Sequence, residues 1–130
     1  MKIEHVALWA NDIEQLKAFY ETYFEAQGNA KYTNPRTHYQ SYFLTFASGA
    51  RLELMQRPDI AALNRANSTQ EFSGYAHLAM AVGSEAAVDE LTHRLARDGY
   101  ERLSGPRRTG DGYYESVVLD PEGNRIEITV

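Results

Sequence analysis

The chain carries the same order of residues twice. Gly49-Ala-Arg-Leu-Glu-Leu54 is matched by Gly123-Asn-Arg-Ile-Glu-Ile128, with Gly, Arg and Glu all aligned at an offset of 74. Upstream, His5-Val-Ala-Leu8 is matched by His77-Leu-Ala-Met80 at an offset of 72, so the second copy is two residues longer between its markers. A unit of this length that occurs only twice is a duplicated half-domain and not a solenoid repeat. Whatever one copy folds into, the other must be able to fold into as well.

Hydrophobic periodicity gives each copy the same plan. Residues 3–9 alternate, with Val6 and Leu8 on one face and His5 and Ala7 on the other, which predicts a strand. Asp12 offers a helix N-cap with Gln15 at the capping-box position; Ile13, Leu16, Phe19, Tyr20, Tyr23 and Phe24 follow at helical spacing, and Gly28 marks the expected end. Strands are expected from Tyr39 to Phe46 and from Arg51 to Met55, around a turn at 47–50. In the second copy Ser84 caps a helix with the stripe Val88, Leu91 and Leu95, closed by Gly99. Strands follow at 113–119 and 125–130, joined by the turn Asp120-Pro-Glu-Gly-Asn124. The reading is an α+β chain of two tandem βαβββ modules, about 1–55 and 75–130. A linker at 56–74 is expected to hold one short helix opening at Pro58 and carrying Ile60, Ala62 and Leu63.

Composition narrows the chemistry. Eighteen acidic residues against thirteen basic ones weigh against general nucleic-acid binding. No apolar run approaches the ~20 residues of a membrane span. Met-Lys-Ile-Glu-His-Val is not the opening of a signal peptide, so a cytoplasmic location is expected. The absence of cysteine removes disulfides, thiolate metal sites and thiol nucleophiles. His, carboxylate, Arg, Tyr and backbone groups must do the work.

Strand alternation singles out four of them. Glu53 points away from Leu52 and Leu54, and Glu127 away from Ile126 and Ile128; His5 and His77 likewise oppose the apolar members of their strands. Alone, each has an ordinary explanation, as a hydrogen-bonded strand histidine or as a carboxylate paired with Arg51 or Arg125. Their equivalence in both copies favours one set. Two imidazoles and two carboxylates suit a divalent metal such as Zn, Ni, Co, Mn or Fe(II) far better than Cu(I). Four protein ligands leave octahedral positions open for an oxygen substrate.

With His5, Glu53, His77 and Glu127 so placed, the chain resembles the vicinal oxygen chelate superfamily, which includes glyoxalases, bleomycin-resistance proteins and extradiol dioxygenases. The phrases His-Val-Ala-Leu, Asp-Ile-Glu-Gln-Leu-Lys-Ala-Phe-Tyr, Arg-Leu-Glu-Leu-Met and Asp-Pro-Glu-Gly-Asn-Arg-Ile-Glu-Ile carry the likeness over essentially the whole chain. It implies a single glyoxalase-like domain over 1–130, with the curved mixed sheets of both modules forming a cavity. The ligand order His, Glu, His, Glu is similar to that of glyoxalase I. That similarity implies a lyase or isomerase acting on a hemithioacetal or another small oxygenated substrate, through a metal-stabilised enediolate. It also implies Glu127 as base, with Glu53 as the second catalytic carboxylate, and a homodimer with sites shared between chains.

Two positions depart from that family. Trp9 stands where glyoxalase I usually has an Arg that helps hold glutathione, and Arg57 where it usually has an Asn. Both departures weigh against glutathione. Trp9 and Arg57 are therefore candidate substrate contacts of a different kind. Arg107 and Arg108, in a Gly-rich stretch from Gly105 to Gly112, are candidates for a loop that meets an anionic substrate. Tyr39, Ser41 and Phe43 share a strand face on which a cavity lining is expected. The competing readings are a metal-free bleomycin-resistance-type binding protein, and an Fe(II) dioxygenase or resistance enzyme that uses two His and one Glu. Glu53 discriminates the last from a four-ligand lyase.

Overall fold

The computed structural model describes residues 1–61, 70, 71 and 73–130, which fall in two compact units, Met1–Asn64 and Arg65–Val130. In the first, β1 (His5–Trp9) leads to α1 (Ile13–Phe24), two short strands β2 (Gln27–Gly28) and β3 (Tyr32–Thr33), then β4 (Gln40–Thr45) and β5 (Arg51–Gln56). In the second, β6 (Leu78–Ala81), α2 (Glu85–Arg97), β7 (Arg102–Arg108), β8 (Tyr114–Leu119) and β9 (Arg125–Thr129) repeat the plan. The sheet orders correspond: β1-β5-β4-β2, with β3 also on β4, and β6-β9-β8-β7. In each, the first strand pairs parallel with the last, and the remaining pairs are antiparallel. Both sheets are therefore mixed, as the α+β reading required. Among the described residues no helix is long and apolar enough to cross a membrane.

Each helix covers one face of its sheet. Ile13, Leu16, Phe19, Tyr20 and Phe24 of α1 are buried, as are Leu44, Leu52 and Leu54 of the sheet. Asp12 caps α1 by accepting from the N–H groups of Glu14 and Gln15, and Ser84 caps α2 through Ala87 N–H. The end of α1 differs from expectation. The left-handed residue there is Glu25, with φ 54°, and Gly28 lies in β2. Gly28 packs close to α1: a Cβ there would stand 2.5 Å from Lys17 Cε, the far end of a flexible side chain that can swing aside.

The second core also departs from the expected stripe. Thr92 is fully buried beside Val88 and Leu95, while Leu91 is only half-buried. Its hydroxyl donates to the Val88 carbonyl at 2.6 Å, so Ser116 must donate to Thr92 across the 2.6 Å between their oxygens. Residues 105–108 are not a loop. Arg107 and Arg108 extend β7 opposite Glu115 and Tyr114, and the hairpin turn begins only at Thr109. Pro58 and Asp59 form a turn, with Ile60 N–H bonded to the Arg57 carbonyl; the expected helix positions Ala62 and Leu63 lie outside the described residues.

Glu14 links helix to sheet. Lys31 Nζ lies 2.6 Å from it, and the nearly buried Tyr42 donates its hydroxyl to the same carboxylate at 3.0 Å. The Lys31 contact, opposed by partial desolvation and reinforced by Tyr42, holds this carboxyl below its ordinary value of 4.5. Below that value the unfolded chain takes up the proton more readily than the folded one. The contribution is therefore present above about pH 4.5 and lost as pH falls through the folded value. Glu14→Gln should lower the melting temperature at pH 7, and the gap to the parent should close as the melts are repeated at progressively lower pH.

Gly105 and Gly49 offer a matched pair. Both have positive φ, +73° and +87°, but a Cβ at Gly105 would meet the Glu115 carbonyl oxygen at 2.4 Å, whereas at Gly49 it meets nothing within 4 Å. Gly49→Ala should cost on the order of 1 kcal/mol of backbone strain. Gly105→Ala should cost more, because β8 backbone must also move. Urea denaturation of both variants checks the order.

Candidate functional site

The parity that buries Leu52 and Leu54 turns Glu53 to the sheet face away from α1, and β9 treats Glu127 in the same way. The parallel registers also agree: Ala7 stands opposite Glu53, and Ala79 opposite Glu127. Each histidine lies two residues before that alanine and so leans toward the carboxylate on the same face. His5 Nε2 is 3.8 Å from Glu53 Oε2, and His77 Nε2 is 3.4 Å from Glu127 Oε2. The carboxylates are the better covered partners, at 14% and 18% side-chain exposure against 41% and 43% for the imidazoles.

These separations suit a shared cation. Donors each about 2.1 Å from one ion stand no more than about 4.2 Å apart, and both pairs lie within that reach. Nitrogen and carboxylate oxygen are also the donor types that divalent transition metals accept. Among the described residues no three His, Asp or Glu side chains gather closely enough to form a metal site by themselves. Each unit thus supplies a pair: His5 with Glu53, and His77 with Glu127.

The surroundings of the two pairs differ. In the first unit, His5 Nδ1 is 2.5 Å from Glu4 Oε2, and Glu4 also pairs with Arg51. His5 first, then Arg51, holds the Glu4 carboxyl below its ordinary range, so it is a carboxylate that accepts the Nδ1 proton. Phe43 stands edge-on to the His5 ring at 5.5 Å. Tyr39 donates its hydroxyl to Glu53 Oε1 at 2.9 Å. Burial foremost, and the Glu53 contact with it, raise the Tyr39 pKa against an opposing hydrogen bond with Ser41, so the phenol keeps its proton.

In the second unit the neighbour of Glu127 is another carboxyl. Glu115 of β8 lies near Glu127, and it is pushed above the ordinary carboxylate range by burial first and by the Glu127 charge second. Sequence reasoning missed Glu4 and Glu115. The repeat held a signal for the latter, since Glu115 stands 74 residues after Ser41, on the face already singled out.

The remaining candidates are dispersed. Trp9, 41% exposed, lies at the end of β1 with the Arg57 guanidinium 5.4 Å from its ring and Tyr39 edge-on at 6.2 Å. Tyr32 continues this aromatic run, 6.1 Å from Tyr39. Arg57 is ion-paired with Asp59 at 2.5 Å and borders an open cleft of about 320 Å³ with Thr37, His38, Pro58 and Asp59. Arg107 and Arg108 are exposed at the end of β7, where Arg108 pairs with Glu85. They are strand residues, and the substrate loop expected of them does not form.

Comparison with known proteins identifies the fold and the family. A search of curated proteins finds no match. Among solved structures, the trypanothione-dependent glyoxalase I of Leishmania major superimposes with a TM-score of 0.77 at 20% identity, covering 99% of this chain and 86% of that one. A glyoxalase family protein from Enterococcus faecalis gives 0.77 at 23% identity, with 99% and 97% covered. A glyoxylase/bleomycin resistance protein/dioxygenase domain from Frankia gives 0.79 at 17%, with 100% and 97% covered. These likenesses establish a common fold. The family pattern itself matches residues 2–128, nearly the whole chain, and the chain belongs to the glyoxalase/bleomycin resistance protein/dioxygenase superfamily.

Proposed function

We propose that the protein is a metal-dependent, glyoxalase I-like lyase or isomerase acting on a small oxygenated substrate, including thiol conjugates. The observation that carries this reading is the duplicated pair: one imidazole and one carboxylate at equivalent register in both units, 3.8 Å and 3.4 Å apart. His5, Glu53, His77 and Glu127 would together hold one divalent cation, Zn or Ni first. Such a cation supplies Lewis acidity, drawing electron density from a substrate oxygen and acidifying the adjoining C–H.

The chain's own groups handle the proton. Glu127 takes it from the substrate carbon and returns it to the neighbouring one, which requires a carboxylate within hydrogen-bond reach. The aromatic run Trp9, Tyr39 and Tyr32 offers the substrate apolar contact, and Arg57 beside Trp9 offers charge. The arginine and asparagine usual in glyoxalase I are absent from these positions, so a thiol other than glutathione, or none, is the better fit.

The exposed Trp9 and Tyr32 also favour a second reading, a metal-free binding protein for a bulky aromatic ligand. Metal analysis separates the two. The purified chain, reconstituted with Ni or Zn and desalted, should retain the ion, and His5→Ala should not. Retention by neither, with His5→Ala behaving as the parent in every assay, would leave the binding-protein reading.

Glu127→Gln should keep part of the metal affinity and lose at least about 100-fold in turnover of 2-oxoaldehyde–thiol hemithioacetals, since an amide still offers an oxygen but accepts no carbon-bound proton. Full activity in that variant removes Glu127 as the base.

The donor pairs are proposed to meet across a homodimer, His5 and Glu53 of one chain with His77 and Glu127 of the other. Mixing inactive His5→Ala and His77→Ala chains under subunit exchange should then restore activity, because each heterodimer gains one undamaged site. If every site belongs to a single chain, no activity returns.

A further inference from the structure

We propose that Tyr39 is a positioning residue that fixes how Glu53 presents itself to a cation. This inference rests on the metal-site reading above. A carboxylate has two oxygens and can offer a cation one or both. At Glu53 the choice is restricted. Oε1 accepts the Tyr39 hydroxyl at 2.9 Å, while Oε2 is the oxygen turned toward His5 Nε2.

Tyr39 is itself held. It is half-buried, edge-on to Trp9 and tilted against Tyr32. A hydroxyl on a ring held between two others donates in a restricted direction, which is how a partner behind a ligand orients it.

The repeat supplies an internal comparison. The residue 74 positions beyond Tyr39 is Tyr113, which is 58% exposed and just precedes β8. The neighbour of Glu127 on that face is the carboxyl of Glu115 instead, opposite Thr129 on β9. Glu53 therefore has a fixed neutral donor on its outer oxygen, and Glu127 has a second carboxyl. The difference between the two site carboxylates is set by residues that do not themselves reach the cation.

Cobalt(II) alone is a sufficient probe, because calorimetry reports its affinity and its d–d absorption reports coordination number. Tyr39→Phe removes one oxygen and keeps the ring among Trp9 and Tyr32, so the metal-free chain should retain a cooperative melt. It should bind Co²⁺ about tenfold more weakly than the parent. Its d–d bands should also change in intensity as Glu53 becomes free to engage both oxygens. Tyr113→Phe, the matching substitution at the exposed phenol of the second unit, should leave affinity and spectrum unaltered. Parent-like affinity and spectrum in Tyr39→Phe would overturn the assignment while leaving the metal site standing. A parent chain that binds no Co²⁺ overturns both.

Discussion

The alternation of side chains along two central strands, held in register by parallel pairing, is the constraint on which everything else depends. Leu52 and Leu54 of β5 and Ile126 and Ile128 of β9 are buried under the helices. The residue between each pair must then face the other way. A slip of one residue would drive Glu53 or Glu127 beneath a helix and expose two large apolar side chains. Burying an unpaired carboxylate alone costs several kcal/mol. The same hydrophobic term that stabilises each unit thus fixes the direction of its candidate site, with no separate device needed.

That link explains why much of the site was legible in the sequence. Residue parity, the two N-caps and the repeat are local or periodic signals, and Asp12, Ser84, His5 and Glu127 could all be placed from them. What escaped depends on contacts between residues distant along the chain. Thr92 reads as an interruption of a helical stripe until Ser116 supplies the second hydroxyl that makes its burial inexpensive. Gly28 reads as a helix stop, but the turn is made by Glu25, and the glycine lies in β2 beside the Lys17 side chain. Gly105 and Gly112 suggested a loop around Arg107 and Arg108. The strand continues because Arg107 and Arg108 pair with Glu115 and Tyr114 on β8.

The pairing of Tyr39 with Glu53 shows the same limit from the other side. Position 39 precedes β4, and only the antiparallel register of β4 on β5, with Phe43 opposite Glu53, brings the hydroxyl to the carboxylate. Strand parity correctly put Tyr39 on the face of the site. It could not say that a phenol and a carboxylate fourteen residues apart would meet.

Duplication makes the backbone around the two candidate pairs alike, and it is the neighbours that make them unlike. The donor positions must coincide, because the first and last strands share one register and one buried face in each unit. The strand beside them carries no such obligation. Ser41 and Glu115 occupy equivalent points, opposite Met55 and Thr129, on the face that bears the donors. Ser41 lies on the same strand face as Tyr39, which donates to Glu53, whereas the carboxyl of Glu115 lies near Glu127. The two candidate carboxylates thus have unlike neighbours, a phenol beside one and a carboxyl beside the other, through side chains on β4 and β8 that leave the registers of β5 and β9 alike.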